Sequence, residues 1–465
     1  MRNQSIKREY VIHDGQRAGV LLQAMVTCGG NEMGRLAIIA DDLTSATDCG
    51  IQMARGGLQT QVLLTWNGIA SAAEAVDVLS IDTDSRTVPV SEAYERVSKA
   101  ASLVVAAGFS NIYKSLDSTL RGNLGAEVDA VLDVFDVNLA AVTPAFPLYG
   151  RTILNGKHFL HGQPITTTEF AADPQCPVRE GDVVQLFASQ SKRKVGLVPL
   201  AVLRDGNDAV ARALAAFIAN GVELAVFDAE LESDLDRIAG AVAASGHRVL
   251  WVGSTGLARS VPVALGMRAR RGPRPGLRSA RKQIMLVVGS ASEVTDQQLR
   301  TLMQECEVAP VKMSPLRVIG GARGAASEIE RCRSRVLQRL REGKDVALCV
   351  AGSREAVGIA QSRGRGVGLT SLEVSARIVM ALGRITQLVM DAHELRGVIL
   401  TGGDTAKAVC RGVGAIGIRI WHEVEPGIAL GQLIGGDDVL IVTKGGAIGT
   451  PRALIKSVEA LKERV

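Results

Sequence analysis

From residue 35 onward, short apolar runs alternate with longer stretches whose apolar positions recur every three or four residues. The runs at 36–40, 61–65, 77–81, 111–114, 139–143, 223–227 and 248–252 predict strands. Helical spacing fits 43–56, 91–107, 124–135, 207–220 and 232–245. Such alternation predicts a mainly parallel sheet covered by helices on both faces. Between Pro144 and Leu200 it breaks down into a stretch rich in Gly, Pro, Thr and His, which predicts loops and a few antiparallel strands. A stretch that long is expected to build a site, not merely to connect two elements.

The alternation restarts after a segment holding Arg268, Arg270, Arg271 and Arg274 with Pro273 and Pro275, which reads as an exposed linker. Strands then fit 283–289, 308–312, 345–350, 397–401, 417–421 and 438–442, with helices between them and a last helix near 452–463. The expected fold class is therefore α/β, with two Rossmann-like domains, each a mainly parallel sheet flanked by helices. Their expected bounds are 33–267 and 283–465, separated by a basic linker at 268–282. Residues 1–32 show no clean periodicity and are expected to form an N-terminal extension or an over-long start. No internal sequence repeat is visible.

A chain of 465 residues is too long for one ordinary core, in keeping with two domains. With 47% hydrophobic and 22% charged residues it falls among soluble globular proteins. No apolar run reaches the roughly 20 residues needed to span a bilayer. Residues 1–32 lack the organisation of a signal peptide, so a cytoplasmic location and no membrane partner are expected. The seven cysteines are scattered and form no CxxC pair, which supports neither a disulfide framework nor a zinc site. The net charge of +5 suggests nucleic acid until it is located. Residues 268–282 alone carry seven cations and no acid, and the remainder holds 46 basic against 48 acidic residues. The basicity belongs to one segment, so no nucleic-acid partner is expected.

The chemistry gathers where strands end. Lys114-Ser-Leu-Asp-Ser-Thr-Leu-Arg-Gly-Asn123 lies between an apolar run and a helical stretch, and packs two cations, a carboxylate, three hydroxyls and an amide into ten residues. Such a loop holds a small polar ligand in α/β proteins. A helix cap alone would need only one of Asp117, Ser118 or Thr119. Asp41 and Asp42 follow the first strand, where two carboxylates can accept hydrogen bonds from ligand hydroxyls, hold a metal or take a proton. Asp82-Thr-Asp-Ser-Arg86 follows another strand, and the Arg86 fork suits either a carboxylate ligand or neutralisation of Asp82 or Asp84. Pro144-Ala-Phe-Pro147 with Gly150 and Arg151 ends a fourth. Together these clusters point to a small, anionic, hydroxylated substrate.

The second half carries glycine turns of a different kind. Gly289-Ser290-Ala291-Ser292, Gly402-Gly403-Asp404-Thr405-Ala406 and Lys444-Gly445-Gly446-Ala447-Ile448-Gly449 each follow a predicted strand. Glycines let backbone approach a phosphate, and a helix N-terminus supplies N–H donors. Three such turns in one domain favour nucleotide binding, although none is a Walker A or G-x-G-x-x-G motif.

On these residues the chain resembles the four-carbon acid sugar kinase family, formerly a domain of unknown function. The matching strings are Ala40-Asp-Asp-Leu-Thr44, Asp82-Thr-Asp-Ser-Arg86, Lys114 to Asn123, Pro144 to Thr152, Gly402 to Ala406 and Lys444-Gly445-Gly446. They follow the family's order over nearly the whole chain. Ser45 stands where glycine is usual, and Ala447-Ile448 replaces a more usual Gly/Asn-Phe.

The resemblance implies ATP-dependent phosphorylation of a tetronate at its terminal hydroxyl, with the acid sugar on the first domain, ATP on the second and the reaction in the cleft between them. The stretch His161 to Phe170, with Asp173-Pro174, looks more like D-threonate and D-erythronate kinases than 3-oxo-tetronate kinases. On this reading Asp41, Asp42, Arg86, Lys114, Asp117, Ser118 and Arg121 bind the substrate. Arg86, Lys114 and Arg121 anchor its carboxylate or the moving phosphoryl group. Asp42 or Asp117 orients the hydroxyl and accepts its proton. Ser290, Ser292, Gly402, Gly403, Asp404, Thr405, Gly445, Gly446 and Gly449 hold ATP, with Mg²⁺ bridging its phosphates. A homo-oligomer is compatible with this picture. The competing expectations are a 3-oxo-tetronate 4-kinase, a nicotinamide-dependent oxidoreductase and a sugar-acid-binding regulator without turnover.

Overall fold

The computed structural model describes residues 34–463 apart from 174, 269–282, 291, 351–353 and 436–438. The expected extension at 1–32 and nearly all of the expected linker lie outside the described residues. The first half contributes β1 Leu36–Ala40, β2 Thr60–Leu63, β3 Val78–Asp82, β4 Asn111–Ser115 and β5 Leu139–Thr143. The stretch where the alternation fails forms a small antiparallel sheet of β6 Arg151–Leu154, β7 Lys157–Leu160 and β8 Gln163–Pro164. Then come β9 Val195–Val198, β10 Leu224–Phe227 and β11 Val249–Gly253. The second half contributes β12 Ile284–Val288, β13 Val308–Met313, β14 Asp345–Val350, β15 Gly397–Thr401, β16 Gly417–Glu425, β17 Ile428–Ile434 and β18 Leu440–Lys444.

The expected alternation is present, but the two sheets are not separate. Among the described residues they form one 15-stranded sheet ordered β13-β14-β12-β15-β18-β17-β16-β2-β3-β1-β4-β11-β5-β10-β9. The join is the antiparallel pairing of β2 with β16, where Leu63 lies opposite Gly417 and Thr60 opposite Ile420. The β16–β17 and β17–β18 pairings are also antiparallel, and the other pairings in this sheet are parallel. The parallel strands of the two halves consequently run in opposite directions. β17 escapes the sequence pattern because Gly431 interrupts its apolar run. That glycine is required, since a β-carbon there would stand 2.3 Å from the Arg419 carbonyl oxygen.

The inner parallel strands β1, β3, β5, β11, β12, β15 and β18 are buried along their length, as helices on both faces demand. Helix Leu43–Arg55 is central to the site. Its buried face includes Leu43, Ala46, Ile51 and Met53, and Asp42 caps its N-terminus. Ala40, Leu43, Ala46, Ile51 and Val62 share one apolar cluster with Ile418, Ile420 and Leu433, so this helix is packed into the core of the second half. Among the described residues no helix is long and apolar enough to cross a membrane.

Candidate active site

Asp41 and Asp42 leave the end of β1, and the Asp42 carboxylate accepts a hydrogen bond from Ser45 N at 2.7 Å. Arg86 follows β3 and lies directly over both. Its Nε and Nη2 donate to Asp41 at 2.6 and 3.0 Å, and its Nη1 donates to Asp42 at 2.8 Å. Nη2 also reaches Ser45 Oγ at 2.9 Å and stands 3.7 Å from Asp117. Burial opposes the guanidinium charge, but Asp41, Asp42 and Asp117 outweigh it and push the Arg86 pKa well up. Arg86 thus pairs with the carboxylates after β1. Asp82 and Asp84 are engaged from the second half instead, by Lys407 Nζ at 3.3 and 2.7 Å.

The loop after β4 turns tightly through Leu120 and Gly122, both at positive φ (66° and 101°). This curls Arg121 back onto Asp117, and its Nε and Nη2 donate to the two carboxylate oxygens at 2.9 Å each. The Arg121 and Thr119 backbone N–H groups add bonds at 3.2 and 3.3 Å, and the Thr119 hydroxyl adds a short one. Burial raises the Asp117 pKa, yet Arg86 and Arg121 more than reverse this and hold the carboxyl far below the usual range. Asn123 ties the loop to the one after β3, donating to Ser85 O at 3.0 Å and Val88 O at 2.9 Å.

Lys114 is not with them. It is fully buried on β4, its Nζ 2.8 Å from Glu127 and donating to Ser115 O at 2.6 Å. The expectation that Lys114 anchors a ligand is corrected: it neutralises a carboxylate beneath the loop, and burial pushes Glu127 up against the lowering effect of Lys114.

The antiparallel insert supplies a residue that the fourth strand-end cluster contains but to which the sequence assigns no individual role. Arg151, first residue of β6, donates to Ser118 Oγ at 2.7 Å, and its guanidinium lies 5.8 Å from the Tyr149 ring centre. Burial lowers its pKa, and it has no ion pair among the described residues. His158 on β7 supports the same loop through Nε2, 3.0 Å from the Ser118 carbonyl oxygen. The network requires Nε2 to be the donor.

In the second half, β12, β15 and β18 are neighbours, so their three glycine turns emerge side by side. A β-carbon at Gly446 would lie 2.3 Å from Ser290 Oγ, and one at Gly289 would lie 2.0 Å from Thr405 Oγ1. Ser292 caps helix Glu293–Glu305, accepting from Thr295 N at 3.1 Å, and donates to Gly446 O at 2.5 Å. Gly402, at φ 94°, opens helix Gly403–Gly412, with Asp404 exposed in its first turn and Thr405 buried against Gly289. Lys444 donates to Gly445 O at 2.9 Å, and burial pulls its ammonium down to about 8. Gly449, at φ 93°, closes the third turn, which Gln298 Nε2 secures through the Ile448 and Gly449 carbonyls at 3.0 and 3.2 Å.

The halves meet at Thr44, whose Oγ1 lies 2.9 Å from where a Gly403 β-carbon would be. A cavity of about 390 Å³ is lined by Asp42, Asp48, Asp117, Arg121, Arg151 and Gly445. A second, of about 1000 Å³, is lined by Asp42, Arg86, Met380, Gly403, Asp404 and Lys407. Ser118, Arg121 and Gly446 border the first cavity, and Asp41 the second. Substrate-type charges and phosphate-type glycines therefore open on shared space.

Residues 36–261 match the sugar-binding N-terminal domain family and residues 285–454 the nucleotide-binding C-terminal domain family. Together the two matches cover most of the chain. It belongs to the four-carbon acid sugar kinase family. Its curated relatives include a D-erythronate kinase of Heliobacterium modesticaldum, 35% identical over 93% of this chain and 98% of its own. A D-threonate kinase of Salmonella typhimurium is 32% identical over 92% of this chain and 99% of its own. Haemophilus influenzae protein HI1011 shares the fold, with TM-score 0.73 and 23% identity over 92% of this chain and all of its own. In this family member, Asp41, Asp42, Arg86, Asp117, Arg121 and Arg151 all fall within the sugar-binding match, and the three glycine turns within the nucleotide-binding match.

Proposed function

We propose that the protein transfers the γ-phosphoryl group of ATP to the terminal hydroxyl of a four-carbon sugar acid of the D-erythronate or D-threonate type. The observation that carries this reading is the shared cavity, lined both by Asp42, Arg86, Asp117, Arg121 and Arg151 and by the Gly445–Ile448 turn. The named activities of the relatives supply the substrate class.

Arg151 anchors the substrate carboxylate, because Arg86 and Arg121 already have carboxylate partners and it does not. The Arg86–Asp41–Asp42–Asp117–Arg121 network is a preformed frame whose remaining acceptor capacity binds the sugar hydroxyls. The turns at Gly289, Gly402 and Gly445 cradle the phosphates, aided by the N-termini of helices Glu293–Glu305 and Gly403–Gly412. Among the described residues no cluster of three or more His, Cys, Asp or Glu is placed to hold a metal ion. Asp404, exposed at the start of helix Gly403–Gly412 and lining the larger cavity, would be the carboxylate to meet a Mg²⁺ carried in on the nucleotide. When bound, the ion neutralises phosphate charge.

A coupled ADP-release assay with Mg-ATP and a panel of D-erythronate, D-threonate, L-threonate and a 3-oxo-tetronate tests this. Turnover is expected with a non-oxo acid, at kcat/KM on the order of 10⁴ M⁻¹ s⁻¹ or more. Preference for the 3-oxo acid would reassign the substrate. ADP release with none of the acids would overturn the reading.

A further inference from the structure

The cleft carboxylates differ in one respect that bears on proton transfer. Asp41 and Asp42 are held by Arg86, and Asp117 is held by Arg121, the Thr119 hydroxyl and two backbone N–H groups. Arg86 and Arg121 hold the Asp117 carboxyl far below the usual range, which makes it a weak base, and general-base catalysis favours a group whose pKa lies nearer the operating pH. Asp48 is bound by none of them. It lies one helical turn beyond Thr44 and one before Gln52, a spacing of four that puts all three on one face of helix Leu43–Arg55, and all three line the 390 Å³ cavity.

Asp48 is half-buried there, with no hydrogen bond or ion pair to any described residue. Opposite it stands the turn between β16 and β17, where a β-carbon at Gly427 would lie 3.9 Å from Asp48 Oδ1. Gly427 has positive φ (77°) and presents no side chain to fill the space. The same cavity is bordered by Arg151 on the sugar-acid side and by Gly445 and Gly446 on the phosphate side. One cavity thus holds an unpaired carboxylate together with the cation and the glycine turn assigned above to the sugar acid and the phosphates.

We infer that Asp48 is the catalytic base of the phosphoryl transfer, an assignment that rests on the kinase reading above. The terminal hydroxyl oxygen of the sugar acid forms a bond to the γ-phosphorus as the bond from that phosphorus to the β,γ-bridging oxygen breaks. ADP leaves with that electron pair. The hydroxyl proton passes to the Asp48 carboxylate and from there to solvent. Burial chiefly raises the Asp48 pKa; Asp42, preceding the same helix, and Glu423 of β16 raise it further, while Arg151 of β6 and Arg86 after β3 lower it. The balance lies well above the usual carboxylate range. Tyr149, beside Arg151, is itself pushed up, by burial first and then by Asp48.

The test compares wild type with Asp48→Asn, which keeps the side chain's shape. ADP release is measured with the preferred tetronate across pH, ADP affinity by calorimetry, and Tm by melting. Wild-type kcat is expected to fall on the acid side with a midpoint above the usual carboxylate range. In Asp48→Asn, kcat should drop about 10²–10⁴-fold, the span typical of losing a general base, and the acid limb should vanish. ADP affinity should stay within about fivefold and Tm should not fall, because the variant removes a charge that burial disfavours. A variant that keeps kcat within tenfold, or retains the acid limb, overturns the assignment while leaving the kinase reading intact. The wild-type profile decides independently of the variant's folding, since a flat profile down to pH 4.5 also overturns it. A wild type that turns over no acid overturns both.

Discussion

Replacing Arg86 by methionine is expected to abolish turnover and sharply lower Tm. The guanidinium is largely buried and touches Asp41, Asp42 and Ser45 while standing near Asp117. Methionine fills similar volume but leaves the carboxylates after β1 without their cation. Breaking a buried ion pair from one side costs about 3–5 kcal/mol, because the remaining charge is uncompensated. Arg86→Lys keeps one charge but cannot bridge two carboxylates, and its activity should fall at least about 10²-fold, a loss of roughly 2.7 kcal/mol of transition-state stabilisation. Activity of Arg86→Met within tenfold of wild type would show that the frame is not needed.

Gly289→Ala is expected to strike nucleotide binding selectively. The new methyl group would stand 2.0 Å from Thr405 Oγ1, 3.2 Å from Thr405 Cβ and 3.1 Å from Leu382 Cδ1. Rotating the Thr405 hydroxyl relieves only the first of these. Thr405 is buried in the opening turn of helix Gly403–Gly412, so the helix start must move and carry the Gly402 turn with it. Overpacking of this kind costs about 1–3 kcal/mol. Expressed in ligand affinity, that weakens ADP binding by about tenfold or more, since 1.4 kcal/mol corresponds to a factor of ten. Tetronate affinity should be unchanged. Equal ADP affinity in calorimetry would mean that the turns are not used together.

Which parts of this site were legible in the sequence follows from the distance between partners. The strand ends after β1, β3, β4, β12, β15 and β18 stand out because apolar runs stop abruptly at polar residues or glycines. Asp42 as a cap is equally local. Lys114 was misplaced because position within a motif does not say which way a strand residue faces. Its partner Glu127 lies on the following helix, and only their packing shows that the cation is used internally. Arg86 looked available to a ligand because Asp41 and Asp42 lie more than forty residues earlier. Arg151 sat in a quoted motif, yet its role emerges only when β6 brings it to Ser118. Asp48 reads as an ordinary polar helix position until the β16–β17 turn is seen across the cavity. The joining of the two sheets was illegible for a similar reason: β2 and β16 carry no mark that each is the other's neighbour.

The most direct test of the central claim is the structure of the product. After incubation with Mg-ATP and D-erythronate or D-threonate, each ADP formed should be matched by one phosphomonoester of the acid. Its ³¹P resonance should be a triplet, split by the two methylene protons of the terminal carbon. A doublet, which reports a phosphate on a secondary hydroxyl, or ADP formed without any sugar-acid phosphate, would contradict the account.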